Sequence, residues 1–222
     1  MDLGMTDTDR VTLYYAPRSR ASGTRVLLEE LGAPYDLHVL NTLAGEQREP
    51  AYLAINPLGK VPAIRHGDAL VTEQVAITIH LADLFPRAGL APALNDPLRG
   101  PYLRWITYYG SSFEPALIDR VMQREPVPIT QSPYADYDTM LGAVEAQLAS
   151  GPYLFGDRMT AADILWGVGL SLTMTFGIVP GKDVFVRYAD RITSRPAFQR
   201  INAADARMAA EHAAVVGGSA DA

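Results

Sequence analysis

A proline inside a β-prone run constrains this chain more than any other feature. Pro62 sits in Val61-Pro62-Ala63-Ile64, directly after the loop Asn56-Pro57-Leu58-Gly59-Lys60. Proline has no N–H to give to a sheet ladder, so Pro62 belongs at an edge, at a strand start or in a bend. Such a place leaves the backbone of Val61 free to pair with another extended peptide. A little further on, Glu73-Gln74-Val75-Ala76-Ile77 puts a carboxylate and an amide at the start of an expected helix. Helix-terminal N–H groups gather there and an anionic ligand group is favoured. One strand-like contact, one acidic contact and one helix N-terminus suit a small peptide that carries both charges.

The flanking pattern places this stretch in a sheet. Residues 1–9 read as a loose leader. Val11-Thr12-Leu13-Tyr14-Tyr15 is a short β-prone run stopped by Ala16-Pro17-Arg18. Ser19 to Thr24 supplies N-cap material for a helix that runs to Leu31, with Gly32 as its stop and Pro34 beyond. Tyr35, Leu37 and Val39 alternate with Asp36 and His38, as in a half-buried strand. Strand, helix and strand form a βαβ unit with an expected right-handed crossover. A short helix is expected over residues 50–55, two strands around the turn His66-Gly67-Asp68, and a helix over 73–85. The sum is a four-stranded mixed sheet with helices.

Beyond a proline-bearing linker at 86–97 the periodicity becomes helical. Segments 98–120, 134–149, 160–176, 182–192 and 196–211 read as helices, the third of them apolar all round. Residues 217–222 read as a loose tail. The expected organisation is an α/β domain over 10–85, the linker 86–97 and an all-α domain over 98–212.

Composition removes several function classes. The 222 residues carry a net charge of −6 and no cluster of Lys and Arg, which argues against a nucleic-acid surface. There is no cysteine, so thiol chemistry must use a thiol brought by a ligand. The four histidines have no ligand spacing, and no metal is implied. No apolar run reaches the roughly 18–20 residues of a membrane span. The acidic, polar N-terminus lacks the regions of a signal peptide, so a cytoplasmic location is expected.

Four motifs in order carry a resemblance to a known family. They are Leu13-Tyr14-Tyr15-Ala16-Pro17-Arg18-Ser19; Asn56-Pro57-Leu58-Gly59-Lys60-Val61-Pro62; Glu73-Gln74-Val75-Ala76-Ile77; and Phe155-Gly156-Asp157-Arg158-Met159-Thr160-Ala161-Ala162-Asp163. Together with the helical second half, they make the chain resemble the cytosolic glutathione transferase superfamily over residues 11–210, in the manner of its serine-type bacterial members. The resemblance implies a thioredoxin-like N-terminal domain that binds glutathione as co-substrate and an all-helical domain with the second substrate pocket. It also implies a homodimer. It makes Pro62 cis, with Val61 pairing to the cysteinyl part of glutathione. Glu73 and Gln74 then hold the γ-glutamyl end, with Gln74 where the family more often has Ser or Thr, and Lys60 serves the glycyl carboxylate.

A glutathione thiol must become a thiolate to attack an electrophile, and an unperturbed thiol has a pKa of about 8.5. Lowering it takes a hydrogen-bond donor and positive potential. Ser19, between the first strand and first helix, matches the activating hydroxyl of serine-type members. Ser22 is the next candidate, and Tyr14 and Tyr15 follow. Arg20 adds positive potential. Arg104 and Tyr108 are the residues expected to face the electrophile, with Ser22 and Tyr14 contributing to that pocket. The aromatic face Trp105, Tyr108, Tyr109 otherwise reads as core or interface. Thr160 with Asp163 reads as a structural capping box.

The expected activity is conjugation of glutathione to hydrophobic electrophiles, a detoxification chemistry. The alternatives are a glutathione-dependent peroxidase, isomerase or dehalogenase on the same scaffold, or a non-catalytic glutathione-fold binding or regulatory protein.

Overall fold

A computed structural model describes residues 10–218. The expected leader 1–9 and residues 219–222 of the expected tail lie outside the described residues. The chain divides into two compact units. One comprises residues up to Ala88 together with those from Pro196, and the other is Gly89–Arg195.

The first unit is built on a four-stranded sheet in the order β2-β1-β3-β4. Its strands are β1 (Val11–Tyr15), β2 (Tyr35–Val39), β3 (Ala63–His66) and β4 (Ala69–Thr72). β1 is parallel to β2 and antiparallel to β3, and β3 is antiparallel to β4. Leu13 lies between Leu37 and Ile64 across the sheet. Pro62 falls immediately before β3, so the ladder never needs the N–H that proline lacks.

Helix α1 (Ala21–Leu31) closes at Gly32, where the N–H groups of Gly32 and Ala33 reach back to the carbonyls of Glu29 and Leu28. It packs on β1, on α3 (Gln74–Leu84) and on α9 (Pro196–Gly218). Leu13, Val26, Leu27, Leu28 and Ile64 are buried. Each contributes about 1.5–3 kcal/mol of apolar burial. A short helix, α2 (Pro50–Leu53), precedes the loop to β3.

The second unit holds α4 (Arg99–Tyr108), α5 (Glu114–Val121), α6 (Tyr137–Leu148), α7 (Ala161–Thr175) and α8 (Asp183–Thr193). The single helix expected over 98–120 is interrupted by a π turn at Tyr109–Phe113. The small residues Gly110, Ser111 and Ser112 lie within it. α7 is buried nearly all round, as its composition predicts. At Gly167 a β-carbon would stand 2.4 Å from Ile192 of α8, so glycine permits the close contact of α7 and α8.

Helix α9 departs from the sequence expectation in two ways. It continues through Gly217 and Gly218, where a loose tail was expected. It also belongs by packing to the first unit, rather than to the helical stretch that precedes it.

Candidate functional site

Sheet register decides which segments meet. Tyr14 pairs with Ala63, and Ala63 pairs with Thr72. The exit of β1, the entry to β3 and the exit of β4 therefore share one end of the sheet. Those segments carry Ser19 and Arg20, Val61 and Pro62, and Glu73 and Gln74. The Gln74 amide donates to the Arg20 carbonyl at 3.1 Å, tying the start of α3 to the start of α1. The extra reach of glutamine is thus used within the protein.

The Val61–Pro62 peptide is cis. Among the described residues neither the N–H nor the C=O of Val61 has a backbone partner. The loop before it is firmly held. The Tyr52 hydroxyl and the Asn56 amide donate to the Lys60 carbonyl at 2.6 and 2.9 Å. Burial pushes the Tyr52 phenol up to about 12, so it remains a donor at neutral pH. Gly59 has a φ of +61°, and a β-carbon there would meet Gln47 O at 2.7 Å, so only glycine fits the turn. The Lys60 side chain is exposed.

Two non-glycine residues at this sheet end have positive φ: Arg18 at 55° and Glu73 at 66°. Such backbone costs about 1–3 kcal/mol and persists where surrounding structure holds it, commonly at functional sites. Glu73 is exposed, and among the described residues its carboxylate has no hydrogen-bond or ion-pair partner.

The candidate hydroxyls differ in what they already bind. The Ser19 hydroxyl donates to Ala16 O at 2.7 Å and accepts from the Ala21 N–H at 3.1 Å. Its proton lies on a neutral carbonyl, a bond worth about 0.5–1.5 kcal/mol, whereas a bond to an anion is worth about 1.5–3 kcal/mol. Rotating that proton toward a thiolate is favourable. Ser22 donates instead to the Asp205 carboxylate at 2.6 Å, and Tyr15 donates to the other oxygen of the same carboxylate. Burial first, then the bond to Asp205, pushes the Tyr15 phenol well above its usual range. Taking either proton from Asp205 would break a charge-assisted bond.

Tyr14, expected to line a substrate pocket, is buried with Leu40, Tyr52 and Ala63. Its ring lies 5.1 Å from that of His38 and 5.9 Å from that of Tyr52. Residues of β1 alternate between faces, so Tyr14 and Tyr15 point to opposite sides of the sheet. Ser22, also expected at that pocket, turns its hydroxyl proton inward to Asp205.

Arg104 and Tyr108 lie together on α4 of the second unit. The exposed Arg104 guanidinium sits 4.4 Å over the Trp105 ring and 5.6 Å over the Tyr108 ring. The Tyr108 hydroxyl donates to Met140 O at 3.1 Å. Trp105, Tyr109 and Phe113 are buried around Trp166, whose indole donates to Trp105 O at 2.9 Å. These aromatics are core. A cavity of about 410 Å³ in this unit, lined in part by Pro152, Val184, Arg187, Tyr188 and Arg191, contains none of the expected site residues.

Asp205 was not singled out from the sequence. A signal existed: Ala197, Ile201 and Asp205 recur every fourth residue and form the buried stripe of α9. An acid on such a stripe must find donors.

The N-terminal stretch, residues 9–83, matches the family model "Glutathione S-transferase, N-terminal domain". The chain is 28% identical over 214 residues to glutathione S-transferase F10 of Arabidopsis thaliana, covering 87% of this chain and 97% of that protein. Among solved structures it is similar to a glutathione transferase from Methylococcus capsulatus. That match has 27% identity and a TM-score of 0.74, covering 88% of this chain and 98% of the other. A glutathione transferase homologue from Sulfitobacter, solved with bound glutathione, has 26% identity and a TM-score of 0.71, with 87% and 97% covered. Among the described residues no helix is long and apolar enough to cross a membrane. Residues 9–83 carry the glutathione S-transferase N-terminal domain, and sheet order, the cis-Pro62 loop and these relatives support the cytosolic glutathione transferase superfamily as what the chain is similar to.

Proposed function

We propose that the protein binds glutathione at the Tyr14–Ala63–Thr72 end of the sheet and conjugates its thiolate to a hydrophobic electrophile. The observation that carries this reading is the convergence there of Ser19, the unpaired backbone of Val61 before cis-Pro62, and the unpartnered Glu73 carboxylate. Val61 pairs with the cysteinyl backbone, Glu73 takes the γ-glutamyl ammonium, and Gln74 and the start of α3 face its carboxylate. Lys60 takes the glycyl carboxylate, and Arg20 adds positive potential. A Sulfitobacter homologue holds glutathione in its structure, which supports the ligand assignment.

In the reaction the thiol proton leaves to solvent. Ser19 turns its O–H from Ala16 O to the thiolate, and the N-terminus of α1 adds partial positive charge. The sulfur electron pair then forms the new bond to carbon. In substitution the leaving group departs with its electron pair. In addition the displaced pair moves onto the acceptor and is protonated by water. A cytoplasmic homodimer in detoxification is the setting this reading implies.

A second reading rests on one observation. The bonds of Ser19 to Ala16 O and Ala21 N suffice for a purely structural cap, as in a non-catalytic glutathione-binding protein. Retention on immobilised glutathione, followed by turnover of a panel of electrophiles and peroxides, separates the two. Conjugation of electrophiles is expected. Retention without turnover would establish the binding reading, and turnover of peroxide alone would establish the peroxidase.

Glu73→Gln is expected to raise the KM for glutathione about tenfold while kcat stays within about twofold, because one charged contact is removed from bound substrate and transition state alike. An unchanged KM would remove Glu73 from the site.

A further inference from the structure

One carboxylate oxygen of Asp205 holds the chain on both sides of Ser19. Oδ2 accepts the Arg18 N–H at 3.0 Å and the Ser22 hydroxyl at 2.6 Å. Oδ1 accepts the Tyr15 hydroxyl and lies 4.0 Å from the Arg25 guanidinium. Asp205 is only 3% exposed. Its three donors come from β1, the β1–α1 turn and the first turn of α1, whereas Asp205 itself arrives about 190 residues later on α9. Arg18 is the strained residue of the turn, and its N–H is one of the three groups clamped.

We propose that Asp205 is a positioning residue for thiol activation: through Arg18 and Ser22 it fixes the turn that presents the Ser19 hydroxyl to the sulfur. This rests on the reading of Ser19 as the activating group. The same carboxylate holds Tyr15 and Ser22 as donors to itself, which leaves Ser19 as the hydroxyl whose proton can be redirected at small cost.

Geometry and charge make opposite predictions for this residue, so the role can be isolated. A buried anion beside the site opposes formation of a second anion on sulfur. If Asp205 acted by its field, Asp205→Asn would make the bound thiol easier to ionise. If it acts by holding the turn, the same substitution makes ionisation harder, because the Asn side chain has one acceptor oxygen where the carboxylate has two and puts an NH2 against a donor.

The test measures kcat/KM against pH for a model electrophile with wild type, Asp205→Asn, Ser22→Ala, Ser19→Ala and the Ser19→Ala/Asp205→Asn double variant. Folding is checked by circular dichroism at the assay temperature. The expected result for Asp205→Asn is a rise of about one unit in the apparent pKa of the profile, so that activity falls about tenfold below that pKa and approaches wild type at high pH. Ser22→Ala, which leaves the Arg18 bond in place, moves the profile in the same direction by less. Because Asp205 acts through Ser19, the double variant matches Ser19→Ala within about twofold.

A profile that stays in place or moves down in Asp205→Asn would overturn the proposal, as would losses that multiply in the double variant. If Asp205→Asn does not fold, Ser22→Ala decides: an upward shift supports the proposal and an unmoved profile overturns it. Failure of the underlying reading looks different. There Ser19→Ala itself leaves the profile unchanged, whereas failure of the present inference alone leaves the Ser19→Ala effect intact.

Discussion

Ser19→Ala is expected to lower kcat/KM for conjugation about 10- to 100-fold near neutral pH, with glutathione affinity changed by less than about threefold. The magnitude is that of one hydrogen bond to a charged acceptor, about 1.5–3 kcal/mol, converted at 1.4 kcal/mol per tenfold. Binding is spared because Val61, Glu73 and the start of α3 do not depend on the serine hydroxyl. The local turn survives because Arg18 and Ser22 remain tied to Asp205. Steady-state kinetics with a chromogenic electrophile checks both parts. A large loss of affinity with kcat intact would mean that Ser19 serves only to shape the turn.

Asp163→Ala is expected to cause the largest loss of stability. Asp163 is fully buried at the start of α7. It accepts from Leu154 N, Thr160 N, the Thr160 hydroxyl and the Tyr188 hydroxyl, at 2.8, 2.8, 3.1 and 2.9 Å. With Thr160 it completes a capping box. Alanine would strand these buried donors, each at about 1–3 kcal/mol, although local relaxation recovers part of the sum. A net loss of about 4 kcal/mol is a large share of the roughly 5–15 kcal/mol that holds a native protein together. At about 2–4 °C per kcal/mol for a chain of this size, Tm falls by roughly 10 °C or more. Thermal and urea unfolding measure it. A shift of under about 2 °C would mean that water or a rearranged loop satisfies the stranded groups.

The fold was legible because local signals agreed with it. Alternation at Tyr35, Leu37 and Val39, the stop at Gly32 and Pro34, and the position of Pro62 all pointed to the elements of the four-stranded mixed sheet that is observed. The capping box was readable from four consecutive residues. The candidate site was legible in part. Register brings Ser19, Val61 and Glu73 to one sheet end, and each lies in a short motif with its own chemical reason.

What escaped the sequence depends on contacts made far along the chain. Nothing local distinguishes Ser22 from Ser19 as the freer hydroxyl; Asp205, 183 residues from Ser22, makes that distinction. The π turn at Tyr109–Phe113 adds a residue within a helix whose periodicity otherwise reads as continuous. Gln74 looked out of place at a ligand contact until its amide was seen bonded to Arg20. Tyr14 and Tyr15 are neighbours in sequence, but the two-residue period of a strand sends one to the Tyr52 cluster and the other to Asp205.

The central claim is that glutathione bound at this sheet end is ionised with the help of the Ser19 hydroxyl. Its most direct test is an ultraviolet titration of the thiolate in the binary complex with glutathione, wild type against Ser19→Ala. The account predicts that the bound thiol in the wild type ionises well below its ordinary pKa of about 8.5 and returns close to that value in the variant. Superimposable titrations of the two proteins would contradict it.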